Sequence, residues 1–488
     1  MGVSEQRRSF SALLLILCAL TVYRAWVSVH NQLPLFFDEA QYWVWSLTPD
    51  WGYYSKPPMV AWVVRLFSGL GSTELDVRLG SLLLHPLTAL LLYGLGRRMF
   101  DARTALVAAV LFISLPLVGF NSLFITTDAP LYFFWGAASW ALWCGLERNG
   151  WPAWLLLGLS AGLGLQSKYS MALFAPSVAV LLCLPAWRAH WGNPRLYAAA
   201  LLALLVFLPN LWWNAQMDFA SVRHTAEISR LDQGLFHPAN LAGFLGAQFG
   251  CMGPVGFVLL LIALGPRATW RDRRLGFLAA MTLPFLAAIG LQALLARANA
   301  NWAAPAYFAG SLLVAARWKL QERQRRWLAA LAIGTNLAIL SAFYHYHCLA
   351  RLAGITLTRA TDPYARLLGW PQAGRAVGQV LARHPGARLA VSARDEFALL
   401  SYYVRPFPHR VRIWNPEGRR QNHFHLVADI KGDIGASFLF AVRNRLDGAT
   451  AQSFDRWTEL GEVTVPLYPD YSLTLHLYRG DRFRGYRP

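Results

Sequence analysis

Between residues 34 and 58 the chain reads PLFFDEAQYWVWSLTPDWGYYSKPP, which sets two adjacent carboxylates, Asp38 and Glu39, ahead of an aromatic run and a lysine, Lys56. A carboxylate beside an acceptor hydroxyl can remove its proton as a general base, and a lysine can hold a phosphate as a compact charge. Asp38 is therefore a candidate base, with Glu39 beside it, and Lys56 a candidate phosphate ligand. Three further polar positions belong to the same chemistry by location: Asp128 in TTDAP, Lys168 in QSKYS and Asn301 in RANANW. Asp128 could equally be a helix cap with Pro130 in the first turn. Lys168 could add a second charge on a phosphate, and Asn301 a polar contact to substrate. The aromatics Tyr42, Trp43, Trp45, Trp51, Tyr53 and Tyr54 could offer flat faces to sugar rings or lipid, or could form an interfacial belt. Tyr42 and Tyr54 are the ones assigned here to substrate.

The elements that must position these groups are apolar helices. The chain has 488 residues, of which 56% are hydrophobic and only 15% charged, against roughly 25% charged in soluble domains. Runs of about 18 to 20 apolar residues, the length that crosses hydrocarbon, recur over the first 350 positions. They predict a polytopic α-helical membrane protein of about eleven spans (range 11–13) over residues 1–349. The runs centre on 10–30, 79–96, 104–121, 130–146, 153–165, one ending near 187, 196–213, one between the 214–240 loop and GPRATWRDRR, 276–295, 303–317 and 327–346. The LLLILCAL stretch after Arg7 and Arg8 resembles a signal peptide, but no small-x-small site follows, so it is expected to remain as the first helix. Residues 59–70 read as a short amphipathic surface helix within a first outer loop, 31–78, and 214–240 as a second polar outer loop.

The net charge of +19 would suit a nucleic-acid partner if it lay on one soluble face. Instead, much of it falls between spans. Arg97, Arg98 and Arg103, then Arg188 and Arg195, then Arg267, Arg271, Arg273 and Arg274, then Arg317, Lys319, Arg323, Arg325 and Arg326 occupy alternate loops. That is the positive-inside pattern, and it predicts no nucleic acid and an inner N-terminus. The carboxylate-bearing loop then lies outside, with Asp128, Lys168 and Asn301 at outward helix mouths. Five scattered cysteines without CxxC or Cys/His spacing give neither a disulfide framework nor a thiolate metal site.

From about 350 the pattern changes. RLAVSA, RVRIW, HFHLVA and SFLFAV read as strands, 373–383 and ARDEFALLSYYV as helices, and ELGEVTVPLY with SLTLHLYRG as a hairpin around PDY. Residues 350–488 are thus expected to form an outer α/β domain. An outward aqueous cavity beside lipid suits a reaction between a lipid-borne donor and an acceptor. In inverting glycosyl transfer the base works opposite the leaving group, and a polyprenyl phosphate leaves without needing a general acid.

FFDEAQYWVWS…DWGYYSKPPMVAW followed by TTDAPL resembles the GT-C glycosyltransferases of the protein-mannosyltransferase and aminoarabinose-transferase superfamily. LQSKYS, RANANWAAPAY and DPYARLLGWP follow in the family's order, and the likeness is nearest to its bacterial branch that modifies lipid A and lipopolysaccharide core, galacturonosyl transferases included. The resemblance implies a GT-C fold in the bacterial inner membrane, working on the periplasmic face, with Asp38 as the catalytic acidic residue. It implies Lys56 at the donor phosphate and Asp128 as an organiser of the site. The implied partners are a polyprenyl-phosphate-linked sugar donor and a lipid A or lipopolysaccharide-core acceptor, with protein as a second acceptor class, in a monomeric enzyme surrounded by membrane lipid. The pattern makes no cofactor certain and leaves metal dependence open. If a divalent cation such as Mg or Mn takes part, Asp38 and Glu39 are its candidate ligands. A lipid or sugar transporter is the reading from another class, and it would place ionisable groups at mid-membrane in broken helices.

Overall fold

Each apolar run before residue 347 folds as helix, because in hydrocarbon the backbone must satisfy its own hydrogen bonds. The computed structural model describes residues 3–486 apart from 70, 72, 230–233, 235 and 408–409. Among the described residues five helices can cross a membrane by length and composition: Glu5–His30, Glu74–Met99, Pro194–Gln216, Arg273–Leu295 and Arg326–Tyr344. The number rises to seven if two bent pairs each count as one span: Ala102–Ser114 with Pro116–Leu123, bent by 57°, and Pro238–Met252 with Pro254–Leu264, bent by 114°. The remaining predicted spans correspond to Trp151–Ser167, Tyr169–Cys183 and Ala306–Arg317, which are shorter, and to Asp128–Arg148, whose tryptophans dilute its hydropathy. Residues 230–233 and 235 of the predicted loop 214–240 lie outside the described residues, while Ala220–Ser229 within it is helical.

The chain divides into two compact units. The first comprises the segment ending at His30, Lys56–Val63 and Arg78–Tyr346. The second comprises Asn31–Ser55, Val64–Val77 and the chain from His347 onward. The sequence places a single division near residue 350, whereas compactness assigns most of the 31–78 loop to the C-terminal unit.

In the first unit the core is aromatic and small-residue packing. Trp135 meets Phe174 and Phe285 edge-on at 4.9 and 5.0 Å, and Gly136 leaves room for the Phe308 ring, which a Cβ would approach to 2.8 Å. Asp101 and Asp272 cap helices by accepting from two backbone N–H groups each.

The second unit contains a five-stranded sheet of β1 (Ala387–Val391), β2 (Arg412–Ile413), β3 (Ser437–Val442), β4 (Phe454–Tyr468) and β5 (Tyr471–Phe483). The order is β2-β1-β3-β5-β4; β1 runs parallel to β2 and β3, and β5 antiparallel to β3 and β4. The β4–β5 hairpin, β1, β3 and both predicted helices are as the sequence indicates. HFHLVA is not a strand. Asn422 accepts from the His425 N–H and starts a helix at His423–Val427, so a local cap overrides the alternation. RVRIW contributes only the two residues of β2.

Candidate active site

The Phe37–Leu47 helix begins in the FFDE run, and its two carboxylates face different tasks. Glu39, only 1% exposed, turns back so that Oε2 accepts the Phe36 N–H at 2.9 Å, closing the first turn. Asp38 has 37% of its side chain exposed, and its Oδ1 lies 3.3 Å from a guanidinium nitrogen of Arg394. Consecutive helix positions point about 100° apart, so the two carboxylates do not converge. As they stand, the two carboxylates are turned to different partners, Glu39 to the Phe36 N–H and Asp38 to Arg394. Among the described residues no group of three or more His, Cys, Asp or Glu is arranged to hold a metal ion.

The aromatics after Asp38 are mostly interior. Tyr42 and Tyr54 are each 4% exposed, Trp45 1% and Tyr53 0%; Trp51, at 51%, is the open one. Trp45 stacks on Tyr53 with centroids 4.3 Å apart and planes 2° from parallel, and both meet His423 edge-on. Trp43 packs edge-on against Tyr402 at 5.0 Å, and the Leu35 N–H donates to the Tyr403 hydroxyl at 2.7 Å. Burial pushes the Tyr53 phenol up, with Asp50 also acting on it. Most of this ladder therefore anchors the loop within its own unit, and an interfacial belt or a sugar platform built of all six rings is not what forms. The physical reason is the amphipathic helix: its apolar face packs on the Arg394–Tyr403 helix instead of on lipid.

In the first unit three of the predicted residues come together. Lys168 Nζ lies 2.6 Å from Asp128 Oδ1, and Asn301 Nδ2 donates to Asp128 Oδ2 at 2.8 Å. They arrive from three elements: the first turn of Asp128–Arg148, the residue just after Trp151–Ser167, and the short 3₁₀ turn Ala300–Ala303. Asp128 does not act as a helix cap; both of its oxygens are spent on Lys168 and Asn301, and it is 1% exposed. Lys56, half-buried, belongs to the same unit. A cavity of about 540 Å³ lined by His237, Asn240, Arg297 and Asn299 adjoins Asn301 along the chain.

Several cations were not singled out from the sequence. Arg24 is 2% exposed and donates to Ser122 Oγ at 3.1 Å and to the Ile113 carbonyl at 2.7 Å. Arg78 is fully buried, with its guanidinium over the Phe124 ring. An arginine inside an otherwise apolar helix was the available signal. Arg394, which meets Asp38, sits in a polar RDE run that reads as an ordinary helix start.

Residues 55–213 match the family described as dolichyl-phosphate-mannose-protein mannosyltransferase. The chain is 33% identical to a lipid A galacturonosyltransferase of Rhizobium johnstonii over 90% of this chain and 92% of that one. It is 36% identical, over 32% of its own length and 30% of the relative's, to an undecaprenyl phosphate-alpha-4-amino-4-deoxy-L-arabinose arabinosyl transferase of Pseudomonas aeruginosa. Among solved structures, ArnT from Cupriavidus metallidurans bound to undecaprenyl phosphate shares the fold with a TM-score of 0.62 at 16% identity, over 96% of this chain and 98% of that one.

Proposed function

The chain belongs to the GT-C glycosyltransferases that modify lipid A and lipopolysaccharide, and from that premise we propose that it moves a sugar from a polyprenyl-phosphate donor to lipid A or the lipopolysaccharide core on the periplasmic face. A hexuronate is the sugar class supported by the galacturonosyl relative. The observation that carries the reading is the pairing of near full-length likeness to that relative with an exposed Asp38 in the FFDE helix.

In this mechanism Asp38 is the general base. Arg394 lies on Oδ1 and holds the carboxylate in place, and Oδ2 takes the proton of the acceptor hydroxyl. The hydroxyl oxygen forms a bond to the sugar's anomeric carbon from the face opposite the phosphate. The bond from that carbon to the phosphate oxygen breaks, its electron pair leaves on polyprenyl phosphate, and the anomeric configuration inverts. Lys56 and Lys168 offset the phosphate charge as point cations. The Asp128 carboxylate fixes Lys168 and Asn301 through the contacts given above. No step requires a cofactor.

Asp38→Asn keeps the shape and removes the base. Sugar transfer from a polyprenyl-phosphate donor should fall by at least about 100-fold, the scale of general-base catalysis, with membrane insertion intact. Retained transfer would remove Asp38 from the role. Mass spectrometry of envelope lipids from cells with and without the gene should show a hexuronate-sized increment on lipid A or core. The match of residues 55–213 to a protein-mannosyltransferase family favours protein as the second acceptor class, and an increment on protein alone would select it.

A further inference from the structure

The unit that carries Asp38 contains a cavity of about 200 Å³ lined by Phe37, Arg359, Arg366, Asp395, Arg443 and Tyr471 among others. Three guanidiniums and one carboxylate line it, and with Glu396 on Arg443 the excess is one positive charge, carried by Arg359 and Arg366. Arg443 is held at the wall by Asp395 at 2.7 Å and by the buried Glu396 at 3.3 Å. The other two are held by rings: Arg359 lies 4.1 Å from the Tyr471 centroid, and Arg366 lies 5.1 and 5.3 Å from those of Phe36 and Phe37. Stacking on a ring fixes a guanidinium plane while its N–H donors stay available, which suits bidentate recognition of an oxyanion. Asp470 accepts from the backbone N–H of Arg359. Among the described residues no carboxylate forms an ion pair with the guanidinium of Arg359 or Arg366.

The cavity is also tied to the base. Phe37 lines it, Asp38 is the next residue, and Arg394 touches both, lying 4.7 Å from the Phe37 ring centroid and 3.3 Å from the Asp38 carboxylate. We propose that Arg359, Arg366 and Arg443 form a receptor for an anionic group, phosphate or carboxylate, on the acceptor's headgroup, so that its accepting hydroxyl is presented to Asp38. This rests on the lipid-acceptor reading above. The donor phosphate already has Lys56 and Lys168, whereas every residue of this cavity belongs to the unit bearing the group that meets the acceptor.

The experiment uses the full chain in detergent, a polyprenyl-phosphate sugar donor, and three glycolipid acceptors that differ only in carrying a phosphate monoester, a carboxylate or neither. For the Arg359→Gln/Arg366→Gln double variant, KM for one or both anionic acceptors should rise at least tenfold. KM for the neutral acceptor and for the donor should stay within about threefold. Which anionic acceptor responds identifies the group. Inorganic phosphate should compete with the anionic acceptor on the unaltered enzyme and lose that effect on the variant. Arg366→Lys in an otherwise unaltered chain should give an intermediate KM, since it keeps the charge and loses the fork. An equal loss on all three acceptors would mean a structural role, and a change confined to donor KM would move the anion to the donor sugar. Unchanged kinetics would also overturn the proposal. Absence of transfer by the unaltered enzyme to any lipid would instead defeat the acceptor reading itself.

Discussion

At the start of the Phe37–Leu47 helix the side chains of Asp38 and Glu39 are separated by one backbone step and by most of their chemistry. Glu39 closes the turn that aims its neighbour, and Asp38 keeps an oxygen for solvent or substrate. Asp128 is the opposite kind of carboxylate, buried with both oxygens engaged. Breaking a buried pair leaves an uncompensated charge, at a cost of about 3–5 kcal/mol. Asp128→Asn should therefore lower the thermal midpoint of the detergent-purified protein as well as its transfer rate. Lys168→Met added to Asp128→Asn should recover much of the midpoint without recovering transfer, a coupling that a double-mutant cycle measures. The residue types were legible in the sequence because charges stand out among apolar runs. Their bonding was not: TTDAP carries the same letters whether Asp128 caps its own helix or binds Lys168 and Asn301. The arginines of the anion-receptor cavity stayed hidden because Arg359, Arg366 and Arg443 are scattered over more than eighty positions, and Arg366 is held by rings of the distant early loop.

Among the helices, the break between Pro238–Met252 and Pro254–Leu264 shows how far hydropathy alone reaches. The run reads as one span, yet it turns by 114° at Gly253, whose φ of +84° favours glycine. The site is closed to any side chain as well, since a Cβ there would lie 1.7 Å from Asn336 Oδ1. Gly253→Ala should lower the thermal midpoint, with backbone strain alone costing on the order of 1–3 kcal/mol. Asn336→Ala in the same chain should return only the part due to the collision, and a complete return would show that the backbone angle is not strained. The Leu115–Pro116 break has a different cause: proline forces the preceding residue out of helical geometry, and Leu115 is extended at ψ 134°. Helix identity was legible from apolar length, while bends set by single φ angles and strands cut short by a local cap were not.

At the scale of the whole molecule, acid should act on the unit that carries Asp38 through one buried histidine. His423 is buried against Trp45 and Tyr53, and burial lowers its pKa from 6.5 to about 4. The unfolded chain therefore takes up this proton before the folded one does, so the histidine's contribution is complete above pH 6.5 and is lost as pH falls toward 4. Its full extent is about 3 kcal/mol. Tryptophan fluorescence during denaturant titration should show stability dropping between pH 6.5 and 4, and His423→Gln should flatten that slope. Burial alone would raise Asp433, but hydrogen bonds and charge from Arg412 and Arg388 hold it below its ordinary value, so its acid sensitivity falls at lower pH.

The second unit is assembled from three separate stretches of chain: Asn31–Ser55, Val64–Val77 and the part from His347 onward. Trp43 and Trp45 come from the first of these, while Tyr402 and His423, the surfaces they cover, come from the last. The specificity of a relative therefore cannot be grafted by exchanging the C-terminal parts at residue 347. Such a chimaera would carry one parent's Asp38 helix on the other parent's sheet domain, with mismatched aromatic seats and a foreign partner for Asp38 at position 394. Natural variants that change acceptor should accordingly show altered residues in the early loop and the late domain together, as one heritable module written in two distant parts of the gene.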